Sequence, residues 1–144
     1  MRKIELLSPA KNLDYGIEAI NHGADAVYIG APKFGARVAA ANTIQDIGKL
    51  VRYAHIYGAK VYVAFNTLLF DNEFDDAIAM INRIYSEGVD ALIIQDLGLL
   101  EVDLPPIALH ASTQTHNINV DRIKFLSKVG FERIILGREL SINQ

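Results

Sequence analysis

Short apolar runs alternate with longer amphipathic stretches along the whole chain, and the junctions between them repeat. In Gly23-Ala24-Asp25 an amphipathic run stops at a glycine, which takes the positive φ that ends a helix. Ala26-Val27-Tyr28-Ile29 follows as a buried strand, and Gly30 lets the backbone turn away. Gly58-Ala59-Lys60 leads in the same way into Val61–Asn66, Gly88-Val89-Asp90 into Ala91–Asp96, and Gly130-Phe131-Glu132 into Arg133–Arg138. This period marks a repeating βα unit. The pattern predicts strands at Ile4–Leu7, Ala26–Gly30, Val61–Asn66, Ala91–Gln95, Ile107–Ala111 and Arg133–Gly137. Ser8-Pro9-Ala10 is expected to break the first strand. Helices are predicted over Asn12–His22 (Leu13, Ile17 and Ile20 on one face), Thr43–Tyr57 (Ile44, Ile47, Val51, Ala54) and Asn72–Glu87 (Phe74, Ala77, Ile78, Ile81, Ile84, Tyr85). Another is predicted over Val120–Val129, and only a short turn, Leu97–Val102, fits between the fourth strand and Pro105-Pro106. Ser141 has the character of a further helix N-cap.

Strands alternating with helices imply a parallel sheet with right-handed crossovers. A doubly wound sheet would bury its strands on both faces as unbroken apolar runs, whereas a barrel tolerates polar or small inward residues. The phase favours the barrel. Val61, Val63 and Phe65 face helices and leave Tyr62, Ala64 and Asn66 inside; Leu109 and Ala111 face out while His110 and Ser112 face in. Tyr28, Glu5, Leu7, Ile93 and Leu136 also point inward in this phase. The expected fold is α/β, a TIM-barrel-like (β/α) domain over residues 1–144 with about six of the eight units, since a complete barrel takes about 250 residues. Two open strand edges are then expected, neither blocked by a proline or a central lysine, and a homodimer joining them would cover both.

The composition narrows the function. Hydrophobic residues make up 51% and charged residues 22% of 144 residues, the mark of a globular domain with a real core. A net charge of −3 gives no general attraction for nucleic acid or an anionic membrane. The absence of cysteine excludes disulfides, thiolate chemistry and iron–sulfur ligation by these residues. No apolar run reaches the ~18 residues of a membrane span, and Met1-Arg2-Lys3-Ile4-Glu5 enters a strand directly, so a cytoplasmic protein without a membrane partner is expected.

Barrel enzymes carry reacting groups at the carboxyl ends of their strands. Those ends bring together Gly30 with Arg37, Asn66 with Thr67, Gln95 with Asp96, His110 with Ser112 and Gln114, and Arg138 with Glu139. Each has an ordinary structural alternative. Glu5, deeper in, is either a reacting carboxylate or a buried one paired with an inward arginine or tyrosine. Arg37 is a rim cation or a solvated loop residue, and Asn66 a ligand to substrate or to backbone. Asp96, before Leu97-Gly98, reads as a helix cap or an acid; Arg138 and Glu139 read as site residues or as a surface pair. Tyr28 and Tyr62 fill the barrel or offer stacking platforms. His110 and Ser112 point the same way from one strand, with Cβ atoms about 6–7 Å apart, which permits a nucleophilic pair without favouring it. His110 and His116 lack the further ligands of a metal site.

Several blocks in order resemble one family. Glu5-Leu6-Leu7-Ser8-Pro9-Ala10, Gly23-Ala24-Asp25-Ala26-Val27-Tyr28 with Gly30, Arg37, Asp90-Ala91-Leu92-Ile93 with Asp96 and Gly98, His110-Ala111-Ser112-Thr113-Gln114, and Arg138-Glu139-Leu140-Ser141 are similar to the collagenase-like peptidases of family U32. The resemblance implies a barrel-like amino-terminal domain and a nominal peptidase activity of unassigned catalytic type. Some members resemble oxygen-independent hydroxylation factors for RNA bases or a quinone precursor, with cysteine-bound iron–sulfur clusters. The family's cysteine signature lies beyond the Arg-Glu-Leu-Ser block, so this chain is expected to hold no cofactor itself.

Three functions follow as expectations. The first is part of a peptidase, with Glu5, His110 and Ser112 as catalytic residues and Tyr28, Arg37, Asn66, Gln95, Asp96, Gln114 and Arg138 holding a peptide or protein substrate. The second is part of a hydroxylation factor acting on RNA or a quinone precursor. The third is a binding half-barrel without chemistry of its own.

Overall fold

The computed structural model describes residues 4–36 and 42–144. Six parallel strands pair strictly in chain order: β1 (Leu7–Ala10), β2 (Ala26–Gly30), β3 (Lys60–Phe65), β4 (Ala91–Ile94), β5 (Ala108–Ala111) and β6 (Arg133–Ile134). Helices α1 (Leu13–Asn21), α2 (Ile44–Ile56), α3 (Phe74–Ser86) and α4 (Val120–Lys128) cross over between them, with a 3-10 turn, Leu97–Leu100, between β4 and β5. The sheet curls into a half-barrel, as the alternation within the strands requires.

One face of the sheet packs on the helices through Val27, Ile29, Val61, Val63, Phe65, Leu92, Ile94 and Ala111, which meet Ile47, Leu50, Val51, Ile81 and Ile84 of α2 and α3. The inner face forms a second cluster of Ala26, Tyr62, Ala91 and Ile93, with Leu7, Tyr28, Ala108 and Ile135 against it. In β1 to β5 strand polarity is therefore the one read from the sequence. Between α1 and α2 the approach is close: a Cβ on Gly16 would stand 2.7 Å from the Leu50 side chain.

The repeated junction has one structure in all four copies. Gly23, Gly58, Gly88 and Gly130 all take φ between +69° and +108°, which a side chain would strain. The residues after them set register. Asp25 Oδ2 accepts the Leu6 N–H at 2.8 Å, and Asp90 Oδ2 accepts the Val61 N–H at 2.7 Å. Each aspartate thus satisfies a backbone donor at the foot of the neighbouring strand.

Three expectations need correction. The first strand lies three residues later than predicted, at Leu7–Ala10, and runs through Pro9. An edge strand pairs on one side, so it can tolerate a residue without an N–H; β1 therefore does carry a proline. Ile4, expected within that strand, is 88% exposed. In β6 it is Ile135, not Leu136, that joins the inner cluster, and Leu136 is half exposed. The third helix begins as a 3-10 turn at Asp71–Glu73 before α3.

Ile81 is fully buried in α3 and belongs to the helix-side core. Truncation by Ile81→Ala is expected to cost about 2–5 kcal/mol, read as a lowered urea midpoint. An unchanged midpoint would show that α3 does not close this core.

Candidate functional site

The carboxyl ends of the strands open onto a cleft of about 740 Å³. Leu7, Tyr28, Ala64, Ile93 and Ile135 form its inner wall. Around the rim stand Lys11 and Tyr15 after β1, Asn66 after β3, Ser112, Thr113 and Gln114 after β5, and Arg138 after β6. Of the residues singled out in the sequence, Tyr28, Asn66, Ser112, Gln114 and Arg138 converge here. Gln95 and Asp96 do not line the cleft. The Asp96 carboxylate caps the turn after β4, accepting the Gly98 N–H, and also takes the Leu69 N–H, each at 2.8 Å. Arg37 lies outside the described residues.

Asparagines tie the rim together. Asn42 donates from its amide nitrogen to the carbonyls of Lys11 and Gly30, joining the exits of β1 and β2. Asn66 Oδ1 accepts the Ala36 N–H at 3.0 Å, joining the exits of β2 and β3. That bond fixes the orientation of the amide, so the NH₂ group is what Asn66 can offer elsewhere. Asn117, fully buried, donates to the carbonyls of Ser112 and Ile135 at 2.8 Å each and accepts the Thr115 hydroxyl at 2.7 Å. It joins the exits of β5 and β6. Lys11, Tyr15, Asn42 and Asn117 escaped the sequence reading. Amides in polar loops look like turn residues, and nothing local marks which of them reaches two strands.

The loop after β2 is laced to β3 in a strained conformation. Phe34 has φ +67°, unusual for a side chain of this size. Its ring is buried 5.1 Å from the Phe65 ring, and its carbonyl accepts both the N–H and the hydroxyl of Thr67 at 3.2 Å. These contacts hold the strain in place beside the cleft.

Glu5 and His110 fall elsewhere, in a polar cluster inside the half-barrel toward the feet of the strands. Arg133, inward on β6, forms an ion pair with Glu5 and hydrogen-bonds its other oxygen at 3.3 Å. The Tyr62 hydroxyl donates to Glu5 at 2.9 Å, and the Arg133 guanidinium lies 5.3 Å from the Tyr62 ring centre. The hydrogen bonds from Arg133 hold the Glu5 carboxyl below its ordinary range against the opposing effect of burial. Burial, reinforced by the hydrogen bond to Glu5, pushes the Tyr62 hydroxyl up to about 12. His110 is 4% exposed, packs edge-on against Tyr62 at 4.7 Å, and has no partner for Nδ1 among the described residues. Burial first, and then the Arg133 charge, lower its pKa to about 4.

The Ser112 hydroxyl accepts the Gln114 N–H at 3.2 Å, and His110 keeps its ring against Tyr62, so the two do not form the hydrogen-bonded pair a nucleophile needs. Among the described residues no group of three or more His, Cys, Asp or Glu side chains is placed to hold a metal ion. With no cysteine in the sequence, the donor set does not fit an iron–sulfur cluster. No helix of the described residues is long and apolar enough to cross a membrane.

The model of peptidase family U32 matches residues 11–144. A 23S rRNA 5-hydroxycytidine C2501 synthase of Escherichia coli (strain K12) is 56% identical over 99% of this chain, which spans 22% of that protein. The tRNA hydroxylation protein P of the same organism is 35% identical over all of this chain and 33% of its own length. An uncharacterized protease of Methanocaldococcus jannaschii is 38% identical over all of this chain and 36% of its own length. The chain thus spans about a fifth to a third of these relatives. Among solved structures, the U32 peptidase Mk0906 superposes with a TM-score of 0.72 at 10% identity, covering 94% of this chain and 60% of that one. Phosphonopyruvate hydrolase superposes at 0.59 with 15% identity, covering 94% and 55%. These two share the fold.

The buried histidine has a thermodynamic signature. Unfolded, His110 takes its proton near 6.5; folded, it stays neutral down to about 4. Between these values the unfolded chain binds more protons, so stability falls as pH drops through this window. Urea midpoints measured from pH 7 to 4 are expected to fall with a clearly shallower slope in His110→Phe than in the parent. Equal slopes would mean that His110 titrates normally in the folded chain.

Proposed function

The chain belongs to peptidase family U32, and within it we propose that these residues form the nucleotide-holding part of an RNA base-hydroxylating protein, with a cytidine of ribosomal RNA as the target. One observation carries this reading: 56% identity over 99% of the chain to a 23S rRNA 5-hydroxycytidine synthase. The relatives named for tRNA hydroxylation support RNA as the substrate class. The cleft suits the task. It lies at the strand ends where barrel enzymes bind, and its size suits one extruded nucleotide rather than a duplex. Tyr28 on the inner wall is an aromatic face for a base. The amide groups of Asn66 and Gln114 are suited to reading its polar edge.

The hydrolytic reading has less behind it. A peptidase needs an activated nucleophile or a metal-bound water, and the Ser112 hydroxyl is engaged in a backbone cap. The cleft residues are therefore assigned binding and orientation of the nucleotide. This reading gives residues 1–144, which contain no cysteine, no part in iron–sulfur ligation.

Ultraviolet crosslinking of the purified chain to a cytidine-containing single-stranded RNA tests this, with gelatin as the competing substrate. Crosslinked peptides are expected to contain Tyr28 or the Ser112–Gln114 turn, and gelatin is expected to remain intact. Gelatin cleavage without RNA crosslinking would reverse the assignment.

A further inference from the structure

The chain carries 17 acidic and 14 basic residues, yet among the described residues no carboxylate lines the cleft, while two cations, Lys11 and Arg138, do. The amide NH₂ of Asn66 adds a donor, because its oxygen is committed to Ala36. Below this rim the wall is apolar, with Leu7, Ile93 and Ile135. A ligand that fits must be anionic at the rim and carry a flat, largely uncharged body below it.

The two cations come from opposite edges of the sheet. Lys11 directly follows β1 and Arg138 follows β6, the first and last strands of the order. These strands are drawn together by the Glu5–Arg133 ion pair near their feet. Lys11 and Arg138 line one cleft, each from a different edge of the sheet. The position of Lys11 is further fixed by the bond from its carbonyl to the buried Asn42.

Resting on the RNA reading above, we propose that Lys11 and Arg138 hold the phosphate backbone of the RNA strand at the mouth of the cleft, one from the β1 side and one from the β6 side, with the adjoining base directed down toward Tyr28. Both side chains are exposed, so they remain available to a strand arriving from solvent. Phosphate contacts of this kind position a strand without reading its sequence. An extended peptide has no formal backbone charge and would gain nothing from a rim cleared of carboxylates.

The test is a titration of the chain with a fluorescein-labelled single-stranded RNA over a series of potassium chloride concentrations. Each phosphate contact contributes about 0.7 to the slope of log affinity against log salt on a single strand. Lys11→Ala and Arg138→Ala are each expected to weaken binding about equally for RNAs of different sequence and to reduce the slope by about 0.7. Lys128→Ala, on the exposed end of α4, is expected to leave the slope unchanged. Thermal unfolding of the variants checks that they are folded. Binding by the parent chain with unaltered affinity and slope in both variants would overturn the clamp and leave the RNA reading standing. A parent chain that binds no RNA at low salt would overturn both. Affinity losses confined to particular base sequences would also overturn the clamp, because they indicate base reading rather than phosphate contact.

Discussion

Two charges 128 residues apart in the sequence, Glu5 and Arg133, meet inside the curled sheet, and the geometry of the cleft depends on that meeting. The pair is partly solvated, so the desolvation penalty is less than for a fully buried pair. Removing either partner would still strand the other among Tyr62 and His110. Tyr62 completes the arrangement by donating to the carboxylate while its ring faces the guanidinium. The positive charge of Arg133 adds to burial in keeping His110 neutral. The cluster thus ties the stretch before β1 to β6 across the inside of the sheet.

The sequence disclosed the architecture because the fold repeats. Four glycine junctions, alternating strand residues and amphipathic helices agree with one another, and that agreement across levels carried the strand polarity and the barrel curl. The misplaced first strand shows the limit. Pro9 reads as a breaker when the strand's place in the sheet is unknown, and is acceptable once β1 is known to be an edge. In β6 the phase slipped because only Arg133 and Ile134 form the ladder, too short a run to show a period of two. Of the site, the polar strand ends were legible and most of them converge. The pairing of Glu5 with an inward arginine and tyrosine was among the roles weighed, but which arginine could not be read, since contact across 128 residues leaves no local trace. The roles of Asn42 and Asn117 were equally hidden, because each depends on two carbonyls from different strands.

The likeness to solved structures fixes the fold and leaves the chemistry open. A U32 peptidase and a phosphonopyruvate hydrolase each superpose over 94% of this chain, and such scaffolds host unrelated reactions. The asparagine bonds that splice successive strand exits give the rim a rigid frame from short polar side chains. The strain at Phe34 is held by burial of its ring and by two bonds to its carbonyl. The cleft can therefore be preorganised by a rim that is mostly loop, with one 3-10 turn at Thr113–Thr115.

The strict chain order of the strands also has a consequence for how the molecule is made. Each strand from β2 onward pairs with the one synthesised immediately before it, so the sheet can be extended unit by unit as the polypeptide leaves the ribosome, with each loop closure short and entropically cheap. The contact between Glu5 and Arg133 is of another kind. It waits until Arg133 has emerged, and by then the intervening strands have already shortened the path between the two residues. The tie between Glu5 and Arg133 can thus form only after the five strands before it have been made.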